Sequence, residues 1–256
     1  MLYNELFNID GRVALVTGGT RGLGFTAALT LAQAGAYVAI CGRSAEEATE
    51  SASVIAKKSG KKCIGVKADV ADEKSVDELF ETVISKLGNV DILHCSAGIN
   101  IRKPISELEV ADWDSVMSIN TRGAFLCARK VIPTMRERKW GRVVFYASML
   151  SYVSIAGRAA YSSSKAALLG LTRTLALETA PDGVCVNAVC PGPFVTPMNQ
   201  TINQDESVQR EFLRKLPIGR WGNPDELRGL LLYLSSPACS FMTGSGVVID
   251  GGWTAQ

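Results

Sequence analysis

Seven short runs rich in Val, Ile and Leu recur along the chain, separated by longer segments whose apolar residues fall at helical spacing. The runs are Val13 to Val16, Tyr37 to Cys41, Cys63 to Val66, Ile92 to Cys95, Val143 to Ala147, Val184 to Val189 and Val247 to Ile249. The helical segments are Leu23 to Ala34, Ala45 to Lys58, Lys74 to Leu87, Ala111 to Lys139 with a break expected near Asn120, Tyr161 to Ala180 and Pro224 to Leu234. Strand, helix, strand in repetition is the pattern of βαβ units and therefore of a parallel sheet. Several runs are apolar throughout rather than alternating, which requires helices on both sheet faces. The expectation is an α/β fold, a doubly wound parallel seven-stranded sheet with helices on both faces. Sheets of this kind bind ligands beyond the carboxyl ends of their strands, so the residues just after each run carry the most functional weight.

The 256 residues suit one large domain, and no Pro/Gly/Ser-rich linker or internal repeat divides them. One stretch, 193–217, is long, polar and carries Pro193 and Pro197 near its start; it reads either as a lid over a site or as a surface excursion. With 27 basic and 25 acidic residues the chain lacks the field of a nucleic-acid or anionic-membrane binder. No apolar run reaches the roughly 18 residues of a membrane span, and the first residues lack the basic start of a signal peptide. Seven cysteines without a C-x-x-C, beside a single histidine, leave no metal cluster and suit reduced thiols in a cytoplasmic setting.

Directly after the first strand comes Thr17-Gly18-Gly19-Thr20-Arg21-Gly22-Leu23-Gly24, leading into helix. Glycines serve there if the backbone must turn tightly, touch a pyrophosphate and let helix pack on strand, while the helix N-terminus offers N–H groups to phosphate. Turn geometry alone is the other reading. The spacing is G-x-x-x-G-x-G, not that of a P-loop, which speaks against ATP hydrolysis. The second strand ends Cys41-Gly42-Arg43-Ser44 with no carboxylate at its tip. An acid there would favour NAD(H); Arg43, with Arg21 in the turn, would instead meet a 2′-phosphate, which prefers NADP(H) over NAD(H) unless both arginines are merely solvated.

Tyr161-Ser162-Ser163-Ser164-Lys165 puts a phenol and an ammonium on one helical face at i, i+4. A free phenol titrates near pH ~10, too high for a base at neutral pH, and a neighbouring ammonium together with a cationic nicotinamide would lower it. Ser148, just past the fifth strand, is placed to donate to a carbonyl oxygen as charge develops on it. The only histidine, His94, lies inside the fourth strand, where it reads as a packed residue rather than a triad member.

Together Thr17-Gly18-x-x-x-Gly22-x-Gly24, Asp69, Ala97-Gly98, Asn120, Ser148, Tyr161, Lys165 and Pro191-Gly192 resemble the short-chain dehydrogenase/reductases over essentially the whole chain. The resemblance implies one Rossmann-type domain over residues 1–256 and a catalytic tetrad of Asn120, Ser148, Tyr161 and Lys165. In it Tyr161 transfers the proton, Ser148 polarises the substrate, Lys165 holds the nicotinamide ribose and lowers the tyrosine pKa, and Asn120 anchors a water. It also implies Gly18, Thr20, Arg21, Gly22, Leu23 and Gly24 around the phosphates and Arg43 and Ser44 at the adenosine ribose. Asp69 and Val70 would lie near the adenine, Ser96, Ala97 and Gly98 along the ribose, and Pro191, Gly192, Val195 and Thr196 at the nicotinamide. Cys95-Ser96 replaces the Asn-Asn common in the family, which questions the stability of that loop more than the chemistry.

Within the family, Ala97 to Pro104, Arg220 to Leu227 and Asp250 to Trp253 look most like gluconate 5-dehydrogenases and related sugar or polyol dehydrogenases. Arg102 and Arg158 are candidates to pair with a substrate carboxylate, or are solvated surface cations, and Met149 and Tyr152 complete the expected substrate rim. A 3-oxoacyl-(acyl-carrier-protein) reductase or another small-ketone reductase is the alternative, and a non-catalytic NADP(H)-sensing protein is a third reading. The resemblance implies a homotetramer or homodimer; Leu168, Leu169, Leu171, Leu175 and Leu177 would then serve contacts between copies or the protomer's own core.

Overall fold

The computed structural model describes residues 3–199 and 206–256. Its sheet has seven strands, all parallel: β1 (Val13–Thr17), β2 (Tyr37–Gly42), β3 (Cys63–Lys67), β4 (Ile92–Cys95), β5 (Gly141–Tyr146), β6 (Val184–Pro191) and β7 (Gly246–Ile249). The order is β3-β2-β1-β4-β5-β6-β7, so the chain reverses direction across the sheet between β1 and β4 and opens a crevice there.

Side-chain alternation divides the core in two. Leu15, Ala39, Leu93, Phe145 and Val186 pack with α4 (Glu73–Leu87), α6 (Gly123–Glu137) and α7 (Ala159–Thr179). Their neighbours Ala14, Val16, Val38, Ile40 and Val144 pack on the other face with α2 (Gly22–Gln33), α3 (Ala45–Ser59) and α9 (Arg228–Ser235). The remaining helices are α1 (Tyr3–Leu6), α5 (Val110–Met117) and α8 (Glu206–Arg214). Starts and stops follow local chemistry: Ser44 accepts from Glu47 N–H at the head of α3, Asp72 accepts from Lys74 and Ser75 N–H at α4, and Gly60 ends α3 at φ 71°. Among the described residues no helix is long and apolar enough to cross a membrane.

Two segments depart from the expected helices. The stretch read as Ala111 to Lys139 is α5 and α6 joined by a π-helical turn, Ser118–Arg122. The Asn120 side chain at its centre bonds the backbone of Ile99 and the hydroxyl of Ser164, and these tertiary bonds accompany the extra residue in the turn. The segment from Pro224 opens as a 3-10 turn, Pro224–Leu227, capped reciprocally by Asn223 and Glu226, before α9 begins.

The opposite end of the sheet is held by a charged knot. Asp91 accepts from Val13 N–H at 2.9 Å and from the Arg138 guanidinium, while Arg12 stacks 3.9 Å from the centroid of Trp140. Arg142, buried in β5, covers the same ring and donates to the carbonyls of Ser236, Gly141 and Gly183. Asp91→Ala orphans a strand N–H and strips a partly exposed arginine of its partner, so it is expected to cost about 2 kcal/mol, read as a lower urea midpoint at an unchanged slope. A loss below about 0.5 kcal/mol would show the knot to be idle.

Candidate active site

The carboxyl ends of the strands border a cleft of about 1040 Å³. Its floor is the turn after β1. Gly18 adopts φ 62°, and a Cβ there would lie 2.8 Å from the Ala97 Cα. A Cβ on Gly24 would lie 2.3 Å from the Gly18 carbonyl oxygen, so turn and helix touch through bare backbone. Arg21 is the N-cap of α2 and its side chain makes no capping bond, so the positive end of α2 faces the cleft. Thr20, Arg21, Gly22 and Leu23 line it as well.

At the end of β2, Arg43 is exposed and Ser44 is engaged as the α3 cap; both line the cleft. Glu47, one turn into α3, lines the same end and was not foreseen. After β3, Asp69 accepts from Ala71 N–H and its own N–H donates to Ser75, which presents Asp69 and Val70 to the cleft. After β4, Ser96, Ala97 and Gly98 run along the wall. The loop is tied without the usual amides: Ala97 N–H donates to Thr17 Oγ1 at 3.2 Å, and Asn120 Oδ1 accepts from Ile99 N–H at 2.8 Å. Asn120 does not line the cleft, and its two amide hydrogens go to Ile99 O and Ser164 Oγ.

Ser148 follows β5, with its Oγ accepting from Leu150 N–H at 3.1 Å, and its hydroxyl acts on the Tyr161 phenol, favouring the phenolate. Tyr161 and Lys165 project from the first turns of α7, as their spacing predicts. Lys165 is 5% exposed; its Nζ donates to the Tyr146 carbonyl at 2.6 Å and sits 5.6 Å from the Tyr161 ring centroid. Burial pushes the Lys165 pKa down to about 8. The Tyr161 phenol differs from expectation: burial raises its pKa above the ordinary value, opposed by the Ser148 hydrogen bond and by the guanidinium charges of Arg102 and Arg158. The short contact of the Lys165 ammonium is with the Tyr146 carbonyl.

A family model described as Enoyl-(Acyl carrier protein) reductase matches residues 18–254. The chain belongs to the short-chain dehydrogenase/reductase family. It is 37% identical over 244 residues to a 3-oxoacyl-(acyl-carrier-protein) reductase of Aquifex aeolicus, covering 95% of this chain and 98% of that one. It is 36% identical over 261 residues to the gluconate 5-dehydrogenase of Gluconobacter oxydans, covering all of both chains. The crystal structure of a gluconate 5-dehydrogenase from Burkholderia cenocepacia in complex with NADP and tartrate superposes with a TM-score of 0.95 at 33% identity, covering 99% of each chain.

A second, smaller cavity of about 80 Å³ lies beyond Ser148 and Tyr161, lined by Arg102, Met149 and Arg158. Pro191, Gly192 and Thr196 line the large cleft, but Val195 does not; it is 53% exposed with its N–H bonded to Gly222 O, so its side chain faces outward. Tyr152 lies outside both cavities as well. It is 54% exposed and its hydroxyl donates to Gly246 O beside β7, which turns the ring away from the expected rim. Of the expected lid, 200–205 lies outside the described residues. Its first part forms a 3-10 turn, Pro197–Asn199, tied down where Arg102 donates to Met198 O at 3.0 Å and to Asn199 Oδ1 at 3.3 Å. Asn100, Met198, Asn199 and Trp221 are lining residues that sequence reasoning missed. His94 is fully buried between the Tyr146 hydroxyl and Ser235 Oγ, and burial pushes its pKa down to about 3, so it stays neutral, and it lines neither cavity.

Proposed function

We propose that the protein is an NADP(H)-dependent oxidoreductase interconverting a secondary alcohol and a ketone on a sugar acid, keto-sugar or polyol. The observation that carries this reading is that Ser148 and Tyr161 each line both cavities and so stand where cofactor and substrate would meet. The large cleft fits an extended dinucleotide: its floor is backbone that a Cβ would fill, and one end carries Arg21 and Arg43. The Gly18 to Gly24 turn would hold the pyrophosphate, Asp69 and Val70 the adenine, Ser96 to Gly98 the ribose, and Pro191, Gly192 and Thr196 the nicotinamide. Bound there, a nicotinamide dinucleotide supplies the hydride acceptor or donor.

The chain's own residues then manage the proton. Tyr161 takes it from the alcohol or returns it to the ketone oxygen, and Ser148 donates to that oxygen as charge grows on it. Lys165 contributes charge beside the phenol, and Asn120 acts by fixing Ile99 and Ser164 rather than by a side chain offered to substrate. We read the chain as one domain, and within 193–217 the described residues Met198, Asn199 and Phe212 line the substrate end. Exposed Trp113, Phe125 and Leu177 on α5 to α7 supply apolar surface for a homotetramer. The similarity to the Aquifex aeolicus enzyme keeps a 3-oxoacyl-(acyl-carrier-protein) reductase as the second reading.

The test is a screen of gluconate, glucitol, keto-sugars and an acetoacetyl thioester with NADP(H) and NAD(H), followed at the nicotinamide absorbance. Turnover with NADP(H) is expected, and none with any pair would overturn the proposal. Glu47 sets a ceiling on cofactor preference, since its carboxylate opposes a 2′-phosphate that Arg43 attracts. Arg43→Ala is expected to lower the NADPH to NADH ratio of kcat/KM about tenfold and Glu47→Gln to raise it severalfold. Equal ratios in all three proteins would remove Arg43 from phosphate recognition.

A further inference from the structure

The small cavity is lined by one unpartnered donor and two guanidinium groups. Trp221 is 8% exposed and lines it, and its indole Nε1 is buried with no hydrogen-bond partner. The ring cannot easily swing to find one: it stacks on Phe212 at 5.6 Å between centroids, and Phe212 leans on Trp253 at 5.3 Å. Arg102 and Arg158 line the same space, and no carboxylate is among the described residues that do. Burial disfavours the Arg158 charge, and the neighbouring Arg102 charge adds to that. Indole N–H and guanidinium are donors only. A group that suits such walls is an anion rich in acceptor oxygens, and an alkyl chain would leave the Trp221 N–H unmet and meet neither guanidinium charge.

We propose that this cavity is a carboxylate pocket in which Trp221 Nε1–H, with Arg158 and Arg102, binds the acid end of a small hydroxy or keto acid. Its volume of about 80 Å³ takes roughly five water-sized groups, enough for a carboxylate and a few carbons. Asn100 sharpens the class of substrate. Its Oδ1 is buried without a partner and the residue lines both cavities, so it would accept from a hydroxyl beside the reacting carbon. The ligand is then a polyhydroxy acid, oxidised a few carbons from its carboxylate. A carrier-protein thioester offers no anion at that distance.

This inference rests on Ser148 and Tyr161 being the reacting centre, so its test includes a measurement that does not need turnover. Calorimetric titration with tartrate in the presence of NADP+ reads the pocket, and kcat/KM for gluconate against glucitol, its uncharged counterpart, reads the substrate. Tartrate is expected to bind the wild-type protein more tightly than glucitol does. Its Kd should rise about tenfold in Trp221→Phe, which keeps an aromatic ring against Phe212, and about a hundredfold in Arg158→Met, with parallel falls in the gluconate to glucitol ratio. Should Trp221→Phe fail to fold, Arg158→Met decides. Glucitol binding as tightly as tartrate, or a tartrate Kd that neither variant moves, overturns the carboxylate pocket. Tartrate binding that follows the variants in a protein without turnover on any alcohol leaves the pocket standing and sinks the catalytic reading instead.

Discussion

Tyr161→Phe is expected to lower kcat/KM by about a thousandfold while leaving the fold and cofactor binding in place. The ring packs with a small cluster around Met149, Leu150, Leu216 and Trp253, and Phe keeps those contacts. Only the oxygen is removed, from a residue that stands with Ser148 where the two cavities meet. Ser148→Ala is a less clean experiment, because Ser148 Oγ also receives Leu150 N–H and its loss disturbs the turn after β5. The raised phenol pKa gives the reaction a direction-dependent pH profile. At neutral pH the phenol holds its proton, as ketone reduction needs; alcohol oxidation needs phenolate, so its rate should climb with pH across the alkaline range. The measurement is turnover in both directions for both proteins, alongside NADPH binding by fluorescence. A variant that retains wild-type turnover would take the proton away from Tyr161.

What could be read from sequence here divides by the range of the interactions involved. The inner strands β1, β4, β5 and β6 were legible because each is fully buried in a parallel sheet, where burial on both faces writes a nearly uninterrupted apolar string; the edge strands β3 and β7 are only half-buried and were legible from their β-branched residues. Tyr161 and Lys165 were legible because both sit on one helix, whose period fixes their relation. Asn120 was harder. A break was expected there, but its form, a π-turn, depends on Ile99 and Ser164, which no local pattern couples to it. Trp221, Met198 and Asn199 come from loops without a period, and their place in the site exists only after β6, the 3-10 turn and Arg102 are assembled. Tyr152 failed for a related reason. It is four residues past Ser148, yet a single bond to Gly246 decides that it faces β7. Glu47 shows the same limit inside a helix: the periodicity of α3 places it on a polar face, and only the fold brings that face to the cleft end that also carries Arg43.

Lys165→Met is expected to abolish activity and yet make the apoprotein more stable at pH 7. A lysine whose pKa falls from its ordinary value near 10.5 to about 8 on folding holds its charge in the native state at a cost. Below pH 8 both states are protonated and that cost is borne in full. Between about 8 and 10.5 the native protein has shed a proton that the unfolded chain still keeps, so stability rises with pH; above that both are neutral and the cost is gone. Shifts of this size correspond to on the order of 3 kcal/mol. Methionine fills the space without a charge but leaves the Tyr146 carbonyl without its 2.6 Å donor, which offsets on the order of 1 kcal/mol. The net gain is about 2 kcal/mol at pH 7, and it should vanish or reverse by about pH 10.5. Urea midpoints of the two proteins at pH 7 and pH 10 check the sign, because titrations common to both cancel in the difference. A variant less stable than the wild-type protein at pH 7 would mean that Lys165 is held as a structural hydrogen-bond donor. A stabilised, inactive variant would show a cation kept in the cleft against the interest of the fold, for the sake of the phenol and the cofactor beside it.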